Sequence, residues 1–240
     1  MLSSSIGTVE TLHPYLDRAT HGDCLVVLPQ LPSGSVDLVV TDPPYLVRYR
    51  PRSRQTVHND DNPEWLEPAF AQIARVLKPD SFCFSFYGWP EADRFMGVWK
   101  RCGLRPVSHL VCIKNYASRK GYTESHHEVA YLLAKGRPSV PEHPPSDVLP
   151  WSYTGNLRHA TEKPVCALLP LVEAYSEHGG IVLDPFAGSG STGIAARIAG
   201  RRFILIEKEW HHHRRTAERL RQTALPPSSS HSTHRARRTK

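Results

Sequence analysis

The sequence predicts an α/β fold, with a mostly parallel sheet covered by helices on both faces. Short apolar runs alternate with stretches of helical periodicity along the body of the chain. The first run, Val36-Asp-Leu-Val-Val-Thr41, reads as a buried strand, as helices on both faces of a sheet would make it. The 240 residues, 27.0 kDa, suit one domain with its own core.

The remaining elements follow in order. Asn62-Pro63 has the pattern of an N-cap followed by proline at the first helical position. From there Trp65, Leu66, Ala69, Phe70, Ile73, Val76 and Leu77 recur at helical spacing. Residues 81–87 read as a strand, and 90–102 as a helix that Gly103 ends. Residues 106–113 and 128–134 read as strands. Residues 164–178 read as a helix stopped by Gly179-Gly180. Short strands at 181–183 and 203–206 flank a helix at 191–199, and a last helix covers about 209–222.

Three stretches break the pattern. Residues 46–61 carry Arg48, Arg50, Arg52 and Arg54 alternating with other residues. Residues 136–158 are proline-rich, and the five prolines up to Pro150 exclude a helix or a central strand there. The tail, 224–240, is poor in apolar residues and is expected to be disordered. Residues 1–20 are expected to be a lead-in and 21–223 the folded domain.

Composition narrows the class. No run approaches the roughly 18 apolar residues of a membrane helix. The N-terminus lacks the basic start and apolar stretch of a secretory signal. The five cysteines are widely spaced with no Cys-x-x-Cys pair, which argues against a disulfide scaffold or zinc ribbon and fits a reducing cytoplasm. The net charge is +7; Arg235, Arg237, Arg238 and Lys240 put four of those charges in the tail. A mildly basic body with a basic tail suits a polyanion, though charge alone does not establish one.

Two turns carry the chemistry. Ile181-Val-Leu-Asp-Pro-Phe-Ala-Gly-Ser-Gly-Ser-Thr-Gly193 is strand, glycine turn and helix start. Gly188 and Gly190 permit positive φ and close backbone approach to a ligand, and the helix start offers free N–H groups to an anionic group. The lysine of a phosphate-binding Walker loop is missing. Asp184 ends the first strand, and Glu207 ends the next, where a carboxylate suits a ribose diol. A glycine turn serving only chain reversal is the plainer alternative. The second turn, Asp42-Pro43-Pro44-Tyr45, follows the 36–41 strand directly. Two prolines stiffen it and leave carbonyls as acceptors. With the Asp42 carboxylate they can hold both hydrogens of an exocyclic amino group and free its lone pair for attack. Tyr45 offers a flat face for an extruded base. A rigid surface turn would look the same.

Together these two turns resemble the amino-group DNA methyltransferases that use S-adenosylmethionine, over about residues 21–220. Gly22-Asp23 resembles the family's lead-in, His159-Ala-Thr-Glu-Lys-Pro164 the segment before its glycine turn, and Gly200–Glu207 its second cofactor strand. The catalytic turn comes first, which resembles the permuted beta group of adenine-N6 and cytosine-N4 enzymes. The resemblance implies a Rossmann-like, seven-stranded sheet with one antiparallel strand, and S-adenosylmethionine lying across the strand ends. It implies Phe186, Gly188 and Gly190 at the methionine part, Glu207 at the ribose and Asp23 near the adenine ring. Asp184 faces the same crevice, and Thr161 and Lys163 would help close the pocket. The target base would flip out beside Tyr45, and its amino nitrogen would attack the methyl group in line. Asp rather than Ser at the head of the turn favours adenine.

The resemblance also implies double-stranded DNA as partner and a homodimer; no restriction partner is readable in one chain. The long recognition insert common in the beta group is short here. The expected DNA contacts are therefore Arg48, Arg50, Arg52, Arg54, Lys114, Arg119 and Lys120, with the tail. No Pro-Cys dipeptide exists, which argues against carbon-directed cytosine methylation. His211-His212-His213 reads as a solvated helix face, because adjacent helical residues point about 100° apart and cannot share a metal. His127-Glu128 reads as a strand entry. Cytosine-N4 methylation is the nearest rival, and a protein or RNA amino methyltransferase fits the motif order less well. A non-catalytic DNA-binding protein with this fold would bind cofactor without transferring methyl groups.

Overall fold

A computed structural model of the chain describes residues 11–47, 60–117, 119–120, 122–152 and 162–223. Arg48, Arg50, Arg52, Arg54, Thr161 and the tail 224–240 lie outside the described residues, and the side chains of Arg119 and Lys120 do too. Among the described residues ten strands run in chain order: β1 (Arg18–His21), β2 (Val36–Thr41), β3 (Leu77–Phe86), β4 (Leu104–Lys114), β5 (Arg119–Lys120), β6 (Glu124–Ser125), β7 (His127–Lys135), β8 (Val148–Trp151), β9 (Ile181–Asp184) and β10 (Arg202–Glu207). The helices are α1 (Cys24–Val27), α2 (Leu66–Val76), α3 (Ala92–Arg101), α4 (Val165–Tyr175), α5 (Ser191–Ile198) and α6 (Trp210–Gln222).

The main sheet has eight strands, in the order β1-β10-β9-β2-β3-β7-β4-β8, and all neighbours are parallel except those of β7. The single antiparallel strand is as expected, but the strand count of seven is corrected to eight. The extra strand is β8, inside the stretch whose prolines were expected to bar a central strand. It forms at the sheet edge, where Pro150 withholds no ladder donor that an inner strand would need. At the opposite edge β1 pairs with β10, and Leu12 and Leu16 are buried, so the fold reaches into the segment expected to be a lead-in.

Alternation along the strands sorts side chains into two cores. Val39, Leu183, Ile204 and Ile206 pack with Phe70 and Ile73 of α2 and Trp99 of α3 on one face. Leu38, Val40, Val182, Phe203 and Leu205 pack with Leu168 and Leu171 of α4, Ala195 and Ala196 of α5 and Leu220 of α6 on the other. Asn62 caps the turn Pro63–Trp65 that leads into α2, its side chain accepting from the Glu64 N–H at 3.0 Å.

The chain leaves β2 for β3 on one side and leaves β9 for β10 on the other. The topology therefore reverses between β2 and β9, which places a crevice beyond their carboxyl ends. Asp42 follows β2 and Asp184 closes β9, so the two turns singled out in the sequence flank that crevice. Register adds Glu207 opposite His21 at the same edge, with Asp23 two residues beyond.

Candidate active site

The glycine turn is built around two carboxylates. Asp184 accepts from the Phe186 N–H at 3.0 Å and the Thr192 hydroxyl at 2.7 Å, tying the end of β9 to the first turn of α5. It is buried, which pushes its carboxyl up to about 7 against the pull of those two donors. Glu207 accepts from Gly188 N–H at 2.8 Å and Glu209 N–H at 2.7 Å. Burial likewise raises its pKa, opposed by these N–H groups. Phe186 packs edge-on against Trp65, centroids 5.2 Å apart.

Gly188 and Gly190 take φ of 50° and 78°. At Gly190 there is a second requirement. A Cβ there would lie 2.5 Å from Thr216 Cγ2, so the turn is glycine because α6 packs on it as well as for its φ. The Thr216 hydroxyl donates to Gly188 O at 2.6 Å. Asp23 caps α1 through the Leu25 N–H at 2.9 Å and pairs with Lys208 at 2.8 Å. Burial works against its charge, but Lys208 and that N–H outweigh it and hold the carboxyl below its ordinary range.

Across the crevice, Asp42 is held at both oxygens. Tyr45 OH donates to Oδ1 at 2.7 Å and Lys163 Nζ to Oδ2 at 2.7 Å. Lys163 Nζ also reaches Tyr45 OH at 3.2 Å. Burial raises the Asp42 carboxyl against the pull of Lys163 and Tyr45. Burial opposes the Lys163 charge too, yet Asp42 and Glu128 together hold the ammonium above its ordinary value. Gly88, just after β3, makes room for the turn: a Cβ there would sit 2.8 Å from Tyr45 Cβ and 2.9 Å from its carbonyl oxygen.

Lys163 lies against the Asp42–Tyr45 turn, and its neighbour Glu162, buried, holds the segment to α6 through Arg219 at 3.3 Å. Lys114 is corrected as a surface DNA contact, because it is buried and paired with Glu128. Glu128 does enter β7 as a strand residue, but its charge also bears on Asp42, Tyr45 and Lys163. Neither Glu162 nor Glu128 carried a local signal for these partners. The histidine run is corrected in part: His213 is half-buried, its Nε2 3.1 Å from Ala19 O, and its ring stacks on Trp210 at 5.3 Å. His212 is half-buried as well, its ring centroid 3.8 Å from that of His211.

The donor set fits a cationic, nucleoside-bearing ligand. Asp184 and Glu207 stand at the ends of neighbouring strands on one side of the crevice, and Glu207 keeps lone-pair capacity beyond its backbone donors. Opposite stands a carboxylate turn with proline carbonyls. The crevice at the strand ends thus has buried acids of the glycine turn on one side and the Asp42 carboxylate on the other.

The comparisons agree. Residues 36–219 match the family model described as DNA methylase, that of the N6 and N4 enzymes. The Escherichia coli (strain K12) protein YubD, named as a methylase, is 50% identical over 205 residues, 85% of this chain and 90% of its own. The DNA adenine methyltransferase YhdJ of the same organism is 28% identical over 228 residues, 78% of this chain and 76% of its own. Among solved structures, the complex of M1.HpyAVI with SAM superposes with a TM-score of 0.69 at 22% identity, covering 85% of this chain and 98% of that one. The cytosine-N4-specific PvuII DNA methyltransferase does so with 0.69 at 18% identity, covering 88% and 87%. The chain belongs to the DNA methylase family of amino-group methyltransferases.

Proposed function

We propose that the protein transfers a methyl group from S-adenosylmethionine to the exocyclic N6 of adenine in double-stranded DNA. The observation that carries this reading is the Asp42–Tyr45 turn facing the Asp184–Glu207 crevice across the topological switch. S-adenosylmethionine supplies an electrophilic methyl group. Glu207 would hold its ribose hydroxyls, with Phe186 and the Gly188–Gly190 turn beside its methionine part. Asp23 caps a helix and pairs with Lys208, so a contact to the adenine ring would share a carboxylate already engaged.

Toward the target, this chain's own groups act as acceptors. The Asp42 carboxylate and the carbonyls of the Pro43-Pro44 stretch accept the amino hydrogens and draw the nitrogen toward tetrahedral geometry. Asp42 is placed to take a proton from the methylated nitrogen. Tyr45, tied to Asp42 through its hydroxyl, turns a fixed ring toward the base. The Asp at the head of the turn and the adenine-directed name of YhdJ support adenine. The cytosine-N4 reading keeps the same acceptors and is supported by the PvuII likeness in fold.

The test is transfer of labelled methyl from S-adenosylmethionine to unmethylated duplex DNA, followed by nucleoside analysis, with Asp42→Ala in parallel. N6-methyladenine from the wild type alone is the expected result. N4-methylcytosine would replace adenine by cytosine, and no labelled nucleoside despite cofactor binding would overturn the reading.

A further inference from the structure

Lys163 is the one lysine whose ammonium lies against the Asp42 carboxylate among the described residues. It sits among aromatic rings, 4.9 Å from the Phe86 centroid, 5.5 Å from that of Tyr45 and 5.6 Å from that of Trp151. Its side chain is 8% exposed. A carboxylate that accepts N–H bonds, enclosed by π-faces, is also the environment a flat aromatic amine requires. The ammonium therefore stands on the atoms that the proposed reaction assigns to the target amino group.

The two groups cannot share that place as the reaction proceeds. The amino nitrogen gains positive charge when it is methylated, and an ammonium in contact with the same carboxylate oxygen would repel it in a poorly screened pocket. A second carboxylate is at hand. Glu128 is paired with Lys114, whose ammonium lies 5.8 Å from the same Trp151 centroid that Lys163 approaches at 5.6 Å, and its charge bears on Lys163. The pocket thus holds two lysines and two carboxylates, and Lys163 has somewhere to go without leaving its charge unpaired.

We propose that Lys163 is a positioning residue that occupies the amino-group subsite on Asp42 and is displaced toward Glu128 by the incoming base. In the bound complex it then neutralises Glu128 and leaves Asp42 free to accept from the base. This rests on the reading that Asp42 receives the target amino group.

The test uses the full-length chain with S-adenosylhomocysteine and a duplex that the wild type methylates, comparing Lys163→Met, Lys163→Arg and Glu128→Gln. Removing the occupant removes the fraction of molecules closed to the base, so Lys163→Met binds the duplex tighter, by roughly tenfold if about a tenth of the wild type is open. Methyl transfer falls in the same variant. Lys163→Arg, which keeps a cation on Asp42, binds like the wild type. Glu128→Gln weakens duplex binding in the wild-type background and has no effect in the Lys163→Met background. Unchanged duplex affinity in Lys163→Met, with transfer lost, makes Lys163 a fixed bracket and overturns the displacement.

If Lys163→Met does not fold, the wild-type complex with duplex and S-adenosylhomocysteine decides instead. Lys163 Nζ out of hydrogen-bond reach of Asp42 supports the proposal, and a retained contact overturns it. Methyl transfer by the wild type separates the two ideas: transfer with an unmoved Lys163 overturns the displacement alone, whereas neither transfer nor duplex binding overturns both.

Discussion

The Gly188 N–H donates to Glu207 Oε2 over 2.8 Å, so the glycine turn after β9 and the acid that ends β10 form one unit. Both Glu207 oxygens are held by backbone donors, which fixes the direction of the lone pairs left for a ligand. A change at Glu207 therefore reaches the turn and, in the proposed function, the ribose of the cofactor.

Glu207→Gln puts an amide N–H₂ against one of its backbone N–H donors and removes the charge. Hydrogen bonds to a charged group contribute about 1.5–3 kcal/mol, so affinity for S-adenosylhomocysteine is expected to fall roughly 10- to 100-fold. Calorimetric titration checks it; unchanged affinity would remove Glu207 from the ribose site.

Gly190→Ala forces a φ of 78° on a side chain and drives its Cβ to 2.5 Å from Thr216 Cγ2. The expected loss is roughly 2–4 kcal/mol. Thr216→Ser deletes the colliding methyl while keeping a hydroxyl for Gly188 O, so the double variant recovers part of the loss. Denaturant melts of the four combinations measure the coupling, and strict additivity would contradict the packing explanation.

Asp184 has a folded-state pKa of about 7, above its ordinary 3.8, chiefly through burial. Between those values the folded protein keeps a proton that the unfolded chain has shed. Its contribution to stability therefore falls as pH rises from 3.8 to about 7 and is level above that. Asp184→Asn abolishes that slope and gains on the wild type at pH 8, by on the order of 1–4 kcal/mol. Thermal melts between pH 4 and pH 8, read as the difference between the two proteins, are the measurement; a difference independent of pH would refute the assignment.

Asp42→Asn keeps an acceptor for Tyr45 OH but loses the proton-accepting carboxylate. Methyl transfer is expected to fall roughly 10²- to 10⁴-fold, while S-adenosylhomocysteine binds as in the wild type. Asp42→Ala is expected to lower the melting temperature more than Asp42→Asn, because it leaves the Lys163 ammonium buried beside Tyr45 without its nearest counter-charge. Stopped single-turnover assays and melts of both variants check the two halves separately.

Much of this molecule is legible along the chain because the signals are local. The helix at Leu66–Val76 is written in apolar spacing behind an Asn-Pro start, and β2 and β9 are short apolar runs ended by an acid-bearing turn. The Asp-Pro-Pro-Tyr and glycine turns depend on what a few adjacent residues permit in φ, in missing N–H groups and in acceptors. What a charge does is not local. Lys114 reads as a phosphate contact by residue type, yet it is buried with Glu128 because β4 and β7 bring it there in register. Lys163 meets Asp42, and Glu162 meets Arg219, only after the sheet has set distant segments side by side. Pro150 in β8 shows the same limit, since a proline tells what an inner strand would lose but not which strand lies at an edge. The sequence by itself determined the Asp-Pro-Pro-Tyr and glycine turns and their order, through local backbone chemistry. Tertiary structure alone decided which buried charges face each other, because ion pairing at contact distance depends on register and burial that no short segment contains.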